Sequence, residues 1–185
     1  MLEDQLFEEI DPILTSLGLR EEAGEEFREP PLDVLRYYRR PVRLHWLPLL
    51  GRAQSVVAVA RQPVDVGVSG SSGNYPAFLG RLAMAVNGRF PPGRRQGFGS
   101  VGLTAVVLTP EPIAAEDDEV LKAAIGGAAG RSRVVPLGLI RLNLGQEAMS
   151  FQLAASPDDL FPEPVALADA LTLRFRRFVP LFEGT

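Results

Sequence analysis

The residues of this chain best suited to chemistry are a run of small ones. Ser69-Gly70-Ser71-Ser72-Gly73 would present unhindered backbone N–H groups just ahead of a helix that starts near Tyr75. Such donors, with the helix dipole, favour an anion such as phosphate or sulfate. The run is not a Walker A loop, because no Lys-Ser or Lys-Thr follows it, and Ser69, Ser71 and Ser72 all lack the glycine spacing of a nucleophile elbow. Further on, Arg94 and Arg95 lie in a Pro/Gly-rich loop from which they would close on the same anion, with Asp65 as the nearest acid. The plainer role of 69–73 is a connector between strand and helix.

A second cluster is basic. Arg36, Arg39, Arg40 and Arg43 stand beside Tyr37, Tyr38, His45 and Trp46. Arginine forks onto carboxylates and phosphates and stacks on flat rings, so these side chains suit an acidic partner. Nucleic acid is the less favoured one. Arginine is simply the default base here, with eighteen against the single Lys122, and the net charge is -4, whereas dedicated nucleic-acid binders are basic throughout.

Other signals fail on context. Gly97-Phe98-Gly99-Ser100-Val101-Gly102 has the letters of the dinucleotide fingerprint, but a Pro/Arg loop precedes it and a strand follows, where the fingerprint needs a strand and then a helix. His45 is the only histidine and there is no cysteine, so neither a histidine cluster nor a thiolate site can form. Glu116-Asp117-Asp118-Glu119 lacks calcium-loop spacing and suits the first turn of a helix. No metal, cofactor or catalytic constellation is expected.

The elements that must position these residues follow from periodicity. Leu2, Leu6, Ile10, Ile13, Leu14 and Leu17 form a helical stripe that Asp11-Pro12 should kink or restart and Gly18 should stop. Residues 19–31 lack an apolar period and predict a solvated linker, followed by a short helical turn at 32–39. Strands are expected at 42–47, 54–60, from Val64 to Val68 and from Leu103 to Thr109, and helices at 75–87, 116–125 and 163–177. The last of these would carry Arg174, Arg176 and Arg177 in its final turn. The segments 133–144 and 148–154 predict a β-hairpin, with Pro136 and Gly138 marking a bulge or edge position in its first strand. Strands that follow one another directly favour antiparallel pairing. The expectation is an α+β single domain: a mixed, mostly antiparallel sheet of five or six strands with packed helices and an N-terminal helical arm.

Composition sets the frame. A chain of 185 residues, 46% hydrophobic, has enough apolar material for one core and no run long enough to span a membrane. Its start is acidic rather than basic, which predicts a cytoplasmic protein. Charge divides the chain. Residues 1–29 hold ten acids against Arg20 and Arg28, a net of -8, and residues 34–110 hold ten arginines against Asp65, a net of +9. This suggests an acidic arm and linker at 1–30 and a core domain at 31–185. The expected function is a non-enzymatic binding or interaction protein using an arginine-rich face for an acidic partner. That partner would be its own N-terminal arm, a neighbouring subunit in a homodimer, or an acidic protein. The alternatives are an enzyme acting on a phosphorylated or anionic small molecule, and a nucleic-acid-binding protein.

Overall fold

Three β-branched-rich segments form the centre of the sheet, and their connections fix its direction. A computed structural model describes residues 3–24, 27, 32–43, 52–62, 75–90, 101–113, 121–125, 133–154 and 161–177. Its elements are α1 (Glu3–Ser16), β1 (Arg20–Glu22), β2 (Val34–Arg43), β3 (Arg52–Arg61), α2 (Tyr75–Gly88), β4 (Val101–Leu108), β5 (Val134–Asn143), β6 (Ala148–Leu153), α3 (Glu163–Thr172) and β7 (Arg176–Arg177). Residues 121–125 are also helical.

The seven strands stand side by side in sequence order. β1–β2, β2–β3 and β5–β6 are antiparallel, while β3–β4, β4–β5 and β6–β7 are parallel. The sheet is therefore mixed, as expected, but it is not mostly antiparallel. The physical reason is connection geometry: α2 lies between β3 and β4, and helix 121–125 between β4 and β5, and a strand that returns through a helix pairs in parallel. The strand count exceeds five or six because β1 and β7 are very short edge strands.

Both faces of the sheet are covered. One carries α2 and helix 121–125, with Phe78, Leu79, Leu82 and Val86 packed on Val56, Ala58, Ala105 and Leu139. The other carries α1 and α3, with Leu6, Ile10, Leu14 and Leu167 on Val57, Val59, Val106 and Ile140. Strands buried on both sides lose the apolar/polar alternation of a half-exposed sheet, and β4 is buried at every position.

Four local expectations are corrected. α1 runs unbroken through Pro12, because Leu6, Ile10 and Leu14 anchor it on both sides of the proline and offset a helix-interior cost of about 3 kcal/mol. Of residues 32–39, expected as a helical turn, 34–39 are strand, and Tyr37 and Tyr38 serve opposite cores. The segment 19–31 is not a plain solvated linker: β1 pairs with Tyr37, Tyr38 and Arg39, Leu19 is buried, and Phe27 stacks on Tyr37 with ring centroids 5.2 Å apart. The last helix stops at Thr172. Phe175 then turns into the core, and Arg176 donates its backbone N–H to Glu147 O, so Arg176 and Arg177 extend the sheet instead of ending a helix.

The hairpin formed as expected, closed by residues 144–147, with Asn143 Oδ1 accepting the Gln146 N–H at 2.8 Å. The bulge at 136–138 is also present. Leu103 pairs with Pro136 and Thr104 with Gly138, which leaves Leu137 out of the ladder. β5 is nonetheless central, because Pro136 lies beyond the reach of β6.

Candidate functional site

Strand periodicity decides where the arginines of β2 go. Successive side chains leave opposite faces, so Arg36 and Arg40 join Tyr38 on the α1/α3 face and Arg39 joins Tyr37 on the α2 face. The arginines predicted to share a face are thus divided around a rim of the sheet. Arg43 closes the β2–β3 ladder opposite Arg52; its side chain lies outside the described residues.

Carboxylates from the first part of the chain meet this rim. Arg36 Nη1 donates to Asp11 Oδ2 at 2.6 Å and to Glu21 Oε2 at 3.4 Å, while its guanidinium lies over the Phe7 ring. Tyr38 Oη donates to the other oxygen of Asp11. Burial, reinforced by that bond and by the Asp11 charge, pushes the Tyr38 phenol well above its ordinary pKa. Burial works against the Arg36 charge, but Tyr38, Asp11 and Glu21 outweigh it and raise its pKa. On the opposite face Arg39 pairs with Glu22 at 2.6 Å. Arg89, just past α2, lies over both the Phe27 and Tyr37 rings at 5.0 Å and donates to Ala23 O. Burial raises Tyr37 to about 12, although Arg89 and Arg39 pull the other way. Arg61 pairs with Glu3, and Arg174 with Glu9. Residues 3–24 and Phe27 therefore wrap the sheet edge, with α1 on one face and Phe27 on the other.

Beside the end of β1 this rim opens into a cleft of about 500 Å³. Arg20, Arg39 and Arg40 line it with Glu22, and Leu17, Gly18 and Pro41 complete the wall. Arg39 and Arg40 already hold carboxylates, those of Glu22 and Glu163. The Arg20 side chain is exposed and makes no ion pair or hydrogen bond among the described residues. Sequence reasoning passes over Arg20 because it stands in an acidic block; in the strand Glu21 leaves on the opposite face, and Glu22, on the same side as Arg20, is held by Arg39.

A second polar group sits where β4 and β5 reach their carboxyl ends, on the α2 face. Arg141 is buried there, and its Nη2 donates to Glu111 Oε2 at 3.2 Å and to Thr109 Oγ1 at 3.4 Å. Thr109 Oγ1 also accepts the Glu111 N–H, and Asn143 Nδ2 donates to Glu111 O at 2.7 Å. The Tyr75 ring lies 5.8 Å from the guanidinium. Ser150, opposite Arg141 in the β5–β6 register, is buried. The sequence did carry a signal for this group: Arg141 is a lone charge inside the apolar run Val134–Leu144.

Ser69, Gly70, Ser71, Ser72, Gly73, Arg94 and Arg95 lie outside the described residues, as do His45, Asp65 and the acids 116–119. The described residues nearest the small-residue run are hydrogen-bonded to each other, Tyr75 Oη donating to Gln62 Oε1 at 2.9 Å. Gly102, the last glycine of the dinucleotide-like string, is an interior residue of β4. A Cβ there would stand 2.4 Å from Leu137 and 2.7 Å from Phe161, so close packing accounts for this glycine. Among the described residues no group of three or more His, Asp or Glu could hold a metal ion, and no helix is long and apolar enough to cross a membrane. No protein-family model, curated protein or solved structure matches the chain.

Proposed function

We propose that this protein is a non-catalytic binding domain that receives an acidic partner segment on the arginine rim of β2. The observation that carries this reading is the cleft beside β1, where Arg39 is paired with Glu22 and Arg40 with Glu163, while the exposed Arg20 has no ion pair among the described residues. The wrap of the N-terminal segment supports it as well. Asp11, Glu21 and Glu22 already use this rim in the way an external acidic chain would, with carboxylates set on forked guanidinium groups. The cleft is large enough for two or three acidic side chains rather than a folded surface, which favours an extended segment.

The test is binding of a fluorescent polyglutamate peptide at several salt concentrations, comparing the native chain with Arg20→Glu. Arg20 is exposed and supports no packing, so folding is not at stake. The expected result is saturable binding that weakens with salt and falls about tenfold or more in the variant, the equivalent of ~1.4 kcal/mol. Equal affinity in the two proteins, or no saturable binding at low salt, overturns the proposal.

A further inference from the structure

We infer that the end of the sheet opposite the Arg20 cleft holds a second site, for a small amine that carries a carbonyl oxygen, the chemistry of an amino-acid amide. A cleft of about 480 Å³ opens there, a size within the ~300–1,000 Å³ usual for small-molecule sites. It lies over the carboxyl ends of the parallel strands β3, β4 and β5, the end at which α/β sheets bind their ligands.

The charge of this cleft selects a cation. Two carboxylates line it, Glu3 at the start of α1 and Asp33 just ahead of β2, and they share one guanidinium, that of Arg61. Arg61 is committed to Glu3: its Nε and Nη2 donate to the two Glu3 oxygens, each at 2.9 Å. Asp33 meets only Nη1, at 3.5 Å, and its Oδ1 accepts no hydrogen bond among the described residues. One negative charge is therefore left over. The Asp33 backbone is meanwhile fixed, its C=O accepting the Arg61 N–H at 3.1 Å, so that the carboxylate stands at a set place.

The independent observation is a pair of buried donors on the same cleft. Thr109 and Asn143 both line it and are only 5% and 4% exposed. A hydroxyl has two lone pairs and one proton. Both lone pairs of Thr109 Oγ1 are taken, by the Glu111 N–H at 3.0 Å and by Arg141 Nη2 at 3.4 Å, which leaves the proton to give. Nothing among the described residues accepts it. Asn143 is in the same condition. Its Oδ1 accepts the Gln146 N–H and one Nδ2 proton goes to Glu111 O, while the other proton has no acceptor among the described residues. Buried donors of this kind call for an oxygen, and a ligand carbonyl seated between them would accept from both. The ammonium of the same ligand would lie toward Asp33, with its alkyl part against Leu108 and Leu144. Glu3 and Asp33 repel an anion, and a plain amine leaves Thr109 and Asn143 unanswered.

The experiment titrates the full chain at about pH 6.5, where an α-amino group is protonated. The probes are leucinamide, N-acetylleucinamide, which lacks the charge, and isoamylamine, which lacks the carbonyl. Two-dimensional NMR follows the backbone amide resonances of Asp33, Thr109 and Asn143. Saturable shifts of all three are expected with leucinamide. Affinity should fall about tenfold or more for the acetylated analogue and about threefold or more for isoamylamine. Asp33→Asn removes the surplus charge and keeps a residue type suited to the φ of +40° found there, so the fold is not at stake. It should weaken leucinamide about fivefold or more. Absence of saturable shifts, equal affinity for leucinamide and either analogue, or an affinity indifferent to Asp33→Asn overturns the inference.

Discussion

Arg40 of β2 and Glu163, the first residue of α3, are joined in an ion pair that ties the helix to the strand, and the Glu163 carboxylate has no exposure to solvent. Its second oxygen, Oε2, has no hydrogen-bond partner. A pair of this kind contributes less by its attraction than it would cost to break, because a lone buried charge is the worst outcome. Arg40→Gln should therefore destabilise the protein by about 3–5 kcal/mol, while Arg40→Gln combined with Glu163→Gln should recover much of that loss. Urea unfolding of the two single variants and the double variant measures both. A double variant as unstable as Arg40→Gln alone would contradict the argument.

Tyr37 and Tyr38 make the fold sensitive to alkali. Both phenols have raised pKa values, Tyr37 to about 12, with burial the leading cause in each. Below an unfolded value of ~10 the folded and unfolded chains both keep these protons, and the contribution is whole. Above it the unfolded chain loses protons that the folded chain retains, so stability falls as pH rises, by about 1.4 kcal/mol per pH unit for each tyrosine, until the folded value is passed. Urea midpoints measured from pH 9 to 11.5 should drop steeply above pH 10, and Tyr37→Phe should reduce the slope.

The same Tyr37→Phe change should cost nothing at pH 7. The Tyr37 hydroxyl is buried and makes no well-formed hydrogen bond among the described residues, so its removal relieves a desolvation penalty of about 1 kcal/mol while the ring keeps its stack on Phe27. A melting temperature equal to or above that of the native chain is the expected reading. A loss greater than ~1 kcal/mol would show that the hydroxyl is satisfied after all.

Two glycines should respond in opposite directions to alanine. At Gly102 the new methyl would meet Leu137 and Phe161 well inside van der Waals contact, and overpacking of that sort costs about 1–3 kcal/mol. At Gly80, inside α2, nothing lies within 4 Å, so alanine should stabilise the helix by about 0.5–1 kcal/mol. Thermal denaturation of both variants side by side is sufficient.

Arg61 and Arg89 both hold the N-terminal segment, but not equally. Arg61 meets Glu3 and Asp33 in an exposed network, its side chain 50% accessible, and such pairs are worth about 0–1 kcal/mol. Arg89 spans two buried rings and a backbone carbonyl, where desolvated cation–π contacts reach about 2 kcal/mol. Hydrogen exchange at residues 20–24 should accelerate strongly in Arg89→Ala and scarcely at all in Arg61→Gln.

What the sequence discloses follows from which signals are local. β3 and the hairpin announce themselves through β-branched residues and turn chemistry. The acidic and basic blocks are equally plain, and pairs such as Asp11–Arg36, Glu22–Arg39 and Glu3–Arg61 join one block to the other. β1 cannot be seen, because a three-residue edge strand of Arg20, Glu21 and Glu22 pairs through its backbone and carries no apolar period. β2 misleads for the opposite reason: both its faces are covered, so adjacent tyrosines are buried together. Parallel pairing is signalled by the helices expected at 75–87 and 116–125, each set between two strands, but the strands that follow one another directly weigh toward antiparallel pairing. The Arg141 group assembles from β4, β5, β6 and α2, and only three-dimensional register brings Glu111 and Ser150 to it.

The helix α1 is made early and housed late. Its stripe of Leu6, Ile10 and Leu14 rests on Val106, Ile140 and Leu142, residues of strands placed far downstream. During synthesis from the N-terminus an oily surface leaves the ribosome long before its seat exists. It must wait as a frayed, negatively charged coil whose own repulsion discourages premature clumping. Final docking then closes the largest loop in the molecule, and this is where slow folding and chaperone dependence should concentrate.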